Sequence, residues 1–386
     1  MKRILYIIDD VNYNSGAKVV TLLQMKMLMK EYDIYVLSLT EPKETINFLD
    51  KEHILDSSIW KITEIYAVSL KKVLKDRNYT LLQKISRGLY AFSLRCGLGN
   101  LYFERLIKKR IQPQMETFDT VIVVSEASKL RRLVSKLKYP RKIQWIHTDY
   151  ARWSEFSEWS KAITRYDTRI YPKFDKIVVL SNYCKQGIVE KIPSIADKIS
   201  VIPNLIDGDR VLRRSREKSP VLIRDDCLNL VTVARIDYEK RIDKVLELAH
   251  ALKQKKIVFK WYIIGDGPQK LELENKSRET GINNQVQFLG HLENPYSVMT
   301  QCDALVLLSR YEGTPVTIDE AMVLGIGIVA PQIGGIKEQI EGYENSYLFE
   351  TYDNLLSKFL EFSERIEVID YHKQNLQRLA VLKDVL

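Results

Sequence analysis

Residues 304–325, ALVLLSRYEGTPVTIDEAMVLG, read as a strand, a sharp loop and a helix in immediate succession, the repeating unit of a parallel α/β sheet. Ala304 to Leu308 is an unbroken apolar run, the pattern of a strand buried on both faces. Gly313 breaks the chain, and Thr314-Pro315 is a helix-entry signature, with Thr as the N-cap and Pro at the first helical position, where no N–H is needed. A helix over 315–324 follows, and Gly325 closes it. Glu312 then lies in the loop, while Glu320 lies in the helix with its side chain tilted back toward the helix start. Glu320 shares a helical line with Val316 and Leu324, so it is expected to be half-buried and in need of donors. Two carboxylates here suit a ligand rich in hydroxyls, such as the vicinal pair of a ribose. The N–H groups of Gly313, Thr314 and the helix start suit anionic or strongly accepting oxygens. The same local sequence is also compatible with two solvated helix-end charges.

Earlier strands end on residues that complement this pair. The run Leu230 to Ala234 leads directly into Arg235 and then Lys240 at the start of the next helix, a fork and a mobile point charge suited together to a diphosphate. A surface pairing of these cations with Asp237 and Glu239 is the alternative. Gly265-Asp266-Gly267-Pro268 follows the strand Trp261 to Ile264 as a tight turn that lets backbone approach a ligand; it is not a P-loop, because no GK[ST] follows. In the first half, Ser15-Gly16 opens a helix after the first strand, giving another N–H-lined helix start, and His147 ends the strand Ile143 to His147. A lone histidine there is more often structural than catalytic.

Strands and helices alternate throughout both halves. Strands are expected at Ile4 to Ile8, Ile34 to Leu39, Val121 to Val124, Ile143 to His147 and Lys176 to Leu180, and a second series starts at Leu228. The polar stretch 208–227, with basic runs and Pro220, reads as a linker, so the expected organisation is 1–207, the linker, 228–353, and a charged helical tail 354–386 packing back toward the first domain. Two doubly wound, Rossmann-like domains facing across a cleft would carry the ligand at the carboxyl ends of their strands.

At 386 residues, 45% hydrophobic and 28% charged, the sequence has the composition of a globular protein with two cores. The opening MKRILYIIDDV has too short an apolar run for a signal peptide and reads as a strand, and no run reaches the length of a membrane span. Cys96, Cys184, Cys227 and Cys302 show no metal-ligand spacing, which favours reduced thiols and a cytoplasmic location. The formal charge of +9 favours an anionic partner. Eleven cations lie between Lys71 and Arg110, opposed only by Asp76 and Glu104, and are interleaved with Leu89, Tyr90, Phe92, Leu101, Tyr102 and Phe103. That composition suits peripheral docking at an anionic membrane surface. A solvated face over ordinary core, or a nucleic-acid surface, are the other readings.

Taken together, Arg235, Lys240 and Glu312-x7-Glu320 resemble the retaining nucleotide-sugar glycosyltransferases of family 4, which have the GT-B architecture. The Val201 to Asp207 hinge, the Gly265 to Pro268 turn and the Phe288-Leu289-Gly290 strand end are similar as well. The resemblance covers nearly the whole chain and is strongest in the second half. It implies that Arg235 and Lys240 hold the donor diphosphate, Glu320 the ribose, and Glu312 the transferred sugar, with Gly313, Thr314, Gly265, Gly267, His291 and Leu292 in the donor site. Gly16 corresponds to the donor-phosphate loop and His147 to the sugar-side histidine. Departures are Asn14-Ser15-Gly16 in place of paired glycines, and Arg241 where glycine is common.

The activity implied is transfer of a hexose from a uridine-linked sugar to a lipid-linked or cell-surface polysaccharide acceptor at the inner membrane face, with retention and without a metal or other cofactor. Asp207-Gly208-Asp209 has the D-x-D form of a metal site but is too short a pattern to carry weight. Glycosidase chemistry by Glu312 and Glu320 would leave the cations unexplained. An epimerase of the same fold and a nucleic-acid-binding protein are the alternative functions.

Overall fold

The structure, a computed structural model, describes all residues except 13–14, 43–45, 47, 56–59, 61–65, 67–69, 96–98, 224–225, 353–354, 357–358 and 360–386. Cys96 and nearly all of the expected tail lie outside the described residues. The chain divides into two units. Of the described residues, the first holds Met1–Leu180 and Lys185–Ile202; the second holds Ser181–Cys184 and those from Pro203 onward.

In the first unit, β1 (Arg3–Ile8), β2 (Asp33–Ser38), β3 (Thr120–Val123), β4 (Arg141–Trp145), β5 (Lys176–Val179) and β6 (Ile199–Val201) form a parallel sheet in the order β2-β1-β3-β4-β5-β6. Ile4, Leu5, Tyr6 and Ile7 are fully buried, as a central parallel strand covered on both faces requires. The order reverses direction between β1 and β3, so the carboxyl ends of these two strands flank the crevice at which ligands of such sheets bind. Ile199–Val201, read from sequence partly as hinge, is the sixth strand.

The second sheet contains β7 (Leu228–Val233), β8 (Phe259–Ile264), β9 (Val286–Gly290), β10 (Ala304–Val306), β11 (Gly327–Pro331) and β12 (Ser346–Phe349), all parallel, in the order β12-β11-β10-β7-β8-β9. Successive residues of a strand enter opposite cores. Leu230, Ala304 and Val306 pack with Ile242, Val245, Leu246 and Ala249 of the helix Ile242–Gln254 on one face. Val231 and Leu305 pack with Ile318, Ala321 and Met322 of the helix Val316–Leu324 on the other. Each fully buried Leu, Ile, Val or Met among them contributes roughly 1.5–3 kcal/mol, which makes the two faces the main stabilising term. Because the connections after β7 and β10 leave to opposite faces, their loops are left side by side at the switch point of the sheet.

The stretch expected to be a linker is partly structured. Gly208–Ser215 is a helix whose residue Val211 is buried in the second of these cores, together with Ile223. Its polar composition misled the sequence reading: a short helix with one buried apolar position carries little periodicity. Asp207 caps this helix by accepting from the Arg210 N–H at 2.9 Å, so the first carboxylate of the D-x-D pattern is a helix cap.

Candidate functional site

The loops after β7 and β10 are tied together by the Arg310 side chain, whose Nε donates to the Tyr238 carbonyl at 3.1 Å, and by the Arg310 N–H, which donates to the Glu239 carbonyl at 2.8 Å. Within this frame Lys240 Nζ meets Glu312 Oε1 at 2.6 Å, both side chains being largely buried. Arg235 is half exposed and forks onto Asp237 and Glu239, each at 3.0 Å, the carboxylate pairing that the sequence also allowed. Both cations thus stand at the switch point, and both are already engaged by carboxylates. Arg241 takes a left-handed φ of 53° at the N-cap of its helix, which accounts for a preference for glycine there. Its guanidinium is held by Asp243 at 3.1 Å and lies 5.0 Å over the Tyr352 ring.

The helix carrying Glu320 begins one residue later than the sequence suggested. Pro315, with extended backbone, is the N-cap and offers no side-chain cap. Thr314 does not cap the helix; its hydroxyl and carbonyl accept from Asn204 Nδ2 at 3.1 and 2.9 Å, because a residue before proline is held extended. The Gly313 carbonyl accepts the Gly335 N–H at 2.8 Å and the Pro315 carbonyl accepts Gln339 Nε2 at 3.0 Å. In a planar trans peptide the N–H points opposite to the C=O, so the N–H groups of Thr314 and Val316 are turned the other way. Among the described residues neither meets an acceptor. They form the N–H-lined helix start expected from the sequence, and Gly325 closes the helix with φ 72°.

Glu320 is buried, not half-buried, and its one donor among the described residues is Tyr296 Oη at 2.7 Å. Burial pushes its carboxyl up to about 7, Tyr296 opposing and neighbouring Asp319 reinforcing the rise. A buried carboxylate with one donor retains acceptor capacity for further hydroxyls.

The Gly265 to Pro268 turn serves a different contact from the one expected. A Cβ on Gly265, at φ 146°, would lie 1.8 Å from the Ala234 carbonyl oxygen, and one on Gly267 would lie 2.3 Å from that of Ile236. The glycines therefore let the turn press against the backbone on either side of Arg235. The Ile236 N–H donates to the Asp266 carbonyl at 2.9 Å, which fixes the loop that carries the cation. Gly334 acts similarly: its φ is 55°, and a Cβ would sit 1.8 Å from the Glu312 carbonyl oxygen. His291 is exposed and Leu292 partly buried just past β9.

Residues 214–367 match the family model described as glycosyl transferases group 1. The matched segment belongs to that family. The O-antigen biosynthesis glycosyltransferase WclY of Escherichia coli is 29% identical over 212 residues, 54% of this chain and 54% of WclY. The putative glycosyltransferase EpsF of Bacillus subtilis is 33% identical over 134 residues, 34% of this chain and 35% of EpsF. The chain thus spans about half or less of the length of these curated relatives. Across the whole chain the fold matches the crystal structure of Anabaena HepE in complex with UDP-glucose, with a TM-score of 0.66, 15% identity and complete coverage of both chains. The fold class is α/β with the GT-B architecture.

The glycosyltransferase group 1 segment contains every second-unit residue of the expected site; Gly16 and His147 lie in the first unit. Gly16 opens the helix Gly16–Leu28, capped by Ser15, whose hydroxyl accepts the Lys18 N–H at 3.2 Å. His147 lies two residues past β4, its ring nearly parallel to Trp145 with centroids 6.0 Å apart. The His147 backbone N–H donates to Glu126 Oε2 at 3.3 Å, and burial lowers the imidazole to about 4, so the ring is neutral at pH 7. Asp9, just past β1, accepts from Ser128 Oγ at 2.5 Å and the Lys129 N–H at 2.7 Å. Sequence reading missed Asp9, Glu126, Asn204, Tyr296 and Gly334; only Gly334-Gly335, a glycine pair beside the motif, left a visible signal.

The basic-aromatic segment also takes a definite form. Along the helix Leu81–Arg95, Leu82, Ile85, Leu89 and Phe92 share one stripe and are 79%, 50%, 52% and 67% exposed. The inner side is the polar one: Ser86 Oγ bonds Tyr66 Oη at 2.6 Å and Tyr102 Oη at 2.9 Å, and Arg87 is buried over Tyr90. Arg87 is therefore not part of the exposed charge. Lys71, Lys72, Lys75, Arg77, Lys108, Lys109 and Arg110 are exposed. Among the described residues no helix is long and apolar enough to cross a membrane.

Proposed function

We propose that the chain is a retaining, metal-independent glycosyltransferase that moves a hexose from a UDP-sugar to a lipid-linked or polysaccharide acceptor at the cytoplasmic face of the membrane. The observation that carries this reading is the convergence of Lys240, Glu312 and the N–H-lined start of the Glu320 helix at the switch point of the second sheet. WclY acts in O-antigen biosynthesis and HepE binds UDP-glucose, which supports the donor and acceptor classes.

In this reading the bond from the anomeric carbon to the diphosphate oxygen breaks, and its electron pair leaves with the diphosphate. Lys240, Arg235 and the Thr314 and Val316 N–H groups stabilise that growing charge from fixed positions. Glu320 accepts the ribose hydroxyls and Glu312 those of the sugar. The acceptor hydroxyl forms the new bond to the anomeric carbon and passes its proton to the departing diphosphate oxygen. Gly265, Gly267, His291 and Leu292 complete the second unit's donor site, the two glycines by holding the Arg235 loop in place.

The exposed apolar stripe of Leu81–Arg95, flanked by cations, supports attachment to an anionic lipid surface. The test is turnover of a UDP-sugar panel. Lys240→Ala and Glu320→Ala should each lower donor hydrolysis or transfer by roughly 100-fold or more, EDTA should leave it unchanged, and the product should keep the anomeric configuration. Wild-type rates in both variants would remove the site assignment; accumulation of an isomerised donor would favour an epimerase. Salt-sensitive RNA binding without nucleotide binding would favour a nucleic-acid function.

A further inference from the structure

The first unit contains a cavity of about 260 Å³ whose walls include Arg132, Lys136, Arg169 and Lys173, with Ser135 and Tyr166 between them. It is formed by the connection entering β4 and the connection entering β5, whereas Asp9, Glu126 and His147 follow the carboxyl ends of their strands. The carboxylates nearest these cations are already committed. Glu104 is shared by Arg132 at 3.4 Å and by Lys136, and Asp167 is buried against Arg131 at 2.9 Å while also accepting from Tyr150 Oη at 2.7 Å. Among the described residues no side chain pairs with Arg169 or Lys173, although both line the cavity.

Four cations around one concave space, with a single shared carboxylate, leave a net positive field focused into it. The volume falls below the roughly 300 Å³ at which small-molecule sites begin, so it has room for a charged group but not for a nucleotide. Ser135 and Tyr166 also line the cavity, and the arginines offer forked donors that match phosphate oxygens. We propose that this cavity is a second anion site, separate from the sugar-donor site, that binds a phosphate or diphosphate group. The group comes either free in solution or on a lipid headgroup. The proposal does not rest on the glycosyltransferase reading.

The experiment uses the full chain carrying Arg235→Ala and Lys240→Ala, which removes the cations of the donor site. Calorimetry with inorganic pyrophosphate should show one saturable event, weakened at least tenfold by adding Arg169→Ala with Lys173→Ala. Swapping the two charges, Arg169→Lys with Lys173→Arg, conserves both the net charge and one guanidinium of the pair and should keep the affinity within about threefold, which separates charge from folding. In a second arm, pyrophosphate is used to compete the protein from phosphatidylglycerol vesicles. Release of the parent but not of the double alanine variant identifies a headgroup source; pyrophosphate binding without such release identifies a free phosphate group. Equal pyrophosphate affinity with and without Arg169 and Lys173, or no saturable binding at all, would overturn the proposal.

Discussion

Glu320 is the residue whose environment departs furthest from that of a surface carboxylate. Its folded value of about 7 exceeds the ordinary 4.5, so the native state binds the extra proton and the charged form is the costly one. That cost is absent below pH 4.5, grows through the window up to 7, and is complete above it. Glu320→Gln should therefore gain stability relative to wild type as pH rises from 5 to 8, by at most about 3 kcal/mol, measured by denaturant unfolding at the two pH values. In the same window the wild-type carboxylate becomes the acceptor that ribose hydroxyls require. Its UDP affinity should fall on acidification below 7, and the glutamine variant should bind weakly with a flatter profile, measured by calorimetry.

At the scale of elements, the strand, loop and helix that carry Glu312 and Glu320 are supported from outside their own sequence. The Gly334-Gly335 turn lies against the Glu312 and Gly313 carbonyls with no space for a side chain. Gly334→Ala combines a left-handed backbone with a clash against main chain. It should lower stability by about 2 kcal/mol or more and reduce kcat beyond the effect of unfolding, measured by thermal melts beside initial rates. How much of this was legible follows the distance over which each signal acts. The strand starting at Ala304, which ends at Val306 and not at Leu308, the Gly325 stop and the cations after β7 were readable because periodicity, capping chemistry and strand ends are local. Tyr296, 24 residues from Glu320, and Asn204, 110 residues from Thr314, were not readable, since a hydroxyl or amide partner has no spacing rule. The helix at 208–215 was hidden by its polarity, and the start of the helix after Pro315 shifted because a proline carbonyl, not a threonine hydroxyl, begins it.

Across the molecule, the first unit turns apolar side chains to the outside on Leu81–Arg95 and hydrogen-bonding ones inward. Ser86 is hydrogen-bonded and Arg87 and Tyr90 are buried underneath this helix, so the outward stripe can be changed without disturbing the core. Leu82→Ser with Phe92→Ser should leave the melting temperature within a few degrees and weaken binding to phosphatidylglycerol vesicles roughly tenfold or more, measured by sedimentation. Unchanged vesicle binding would assign the stripe to another partner.

The ion pairs at the donor site carry one more consequence. Arg235 and Lys240 are balanced in advance by Asp237, Glu239 and Glu312, so these pairs present no excess positive charge to solution. A diphosphate arriving there exchanges places with carboxylates and displaces few mobile ions. Its capture should therefore be governed by short-range fit and depend only weakly on ionic strength, with UDP affinity changing less than about threefold between roughly 0.05 and 0.5 M salt.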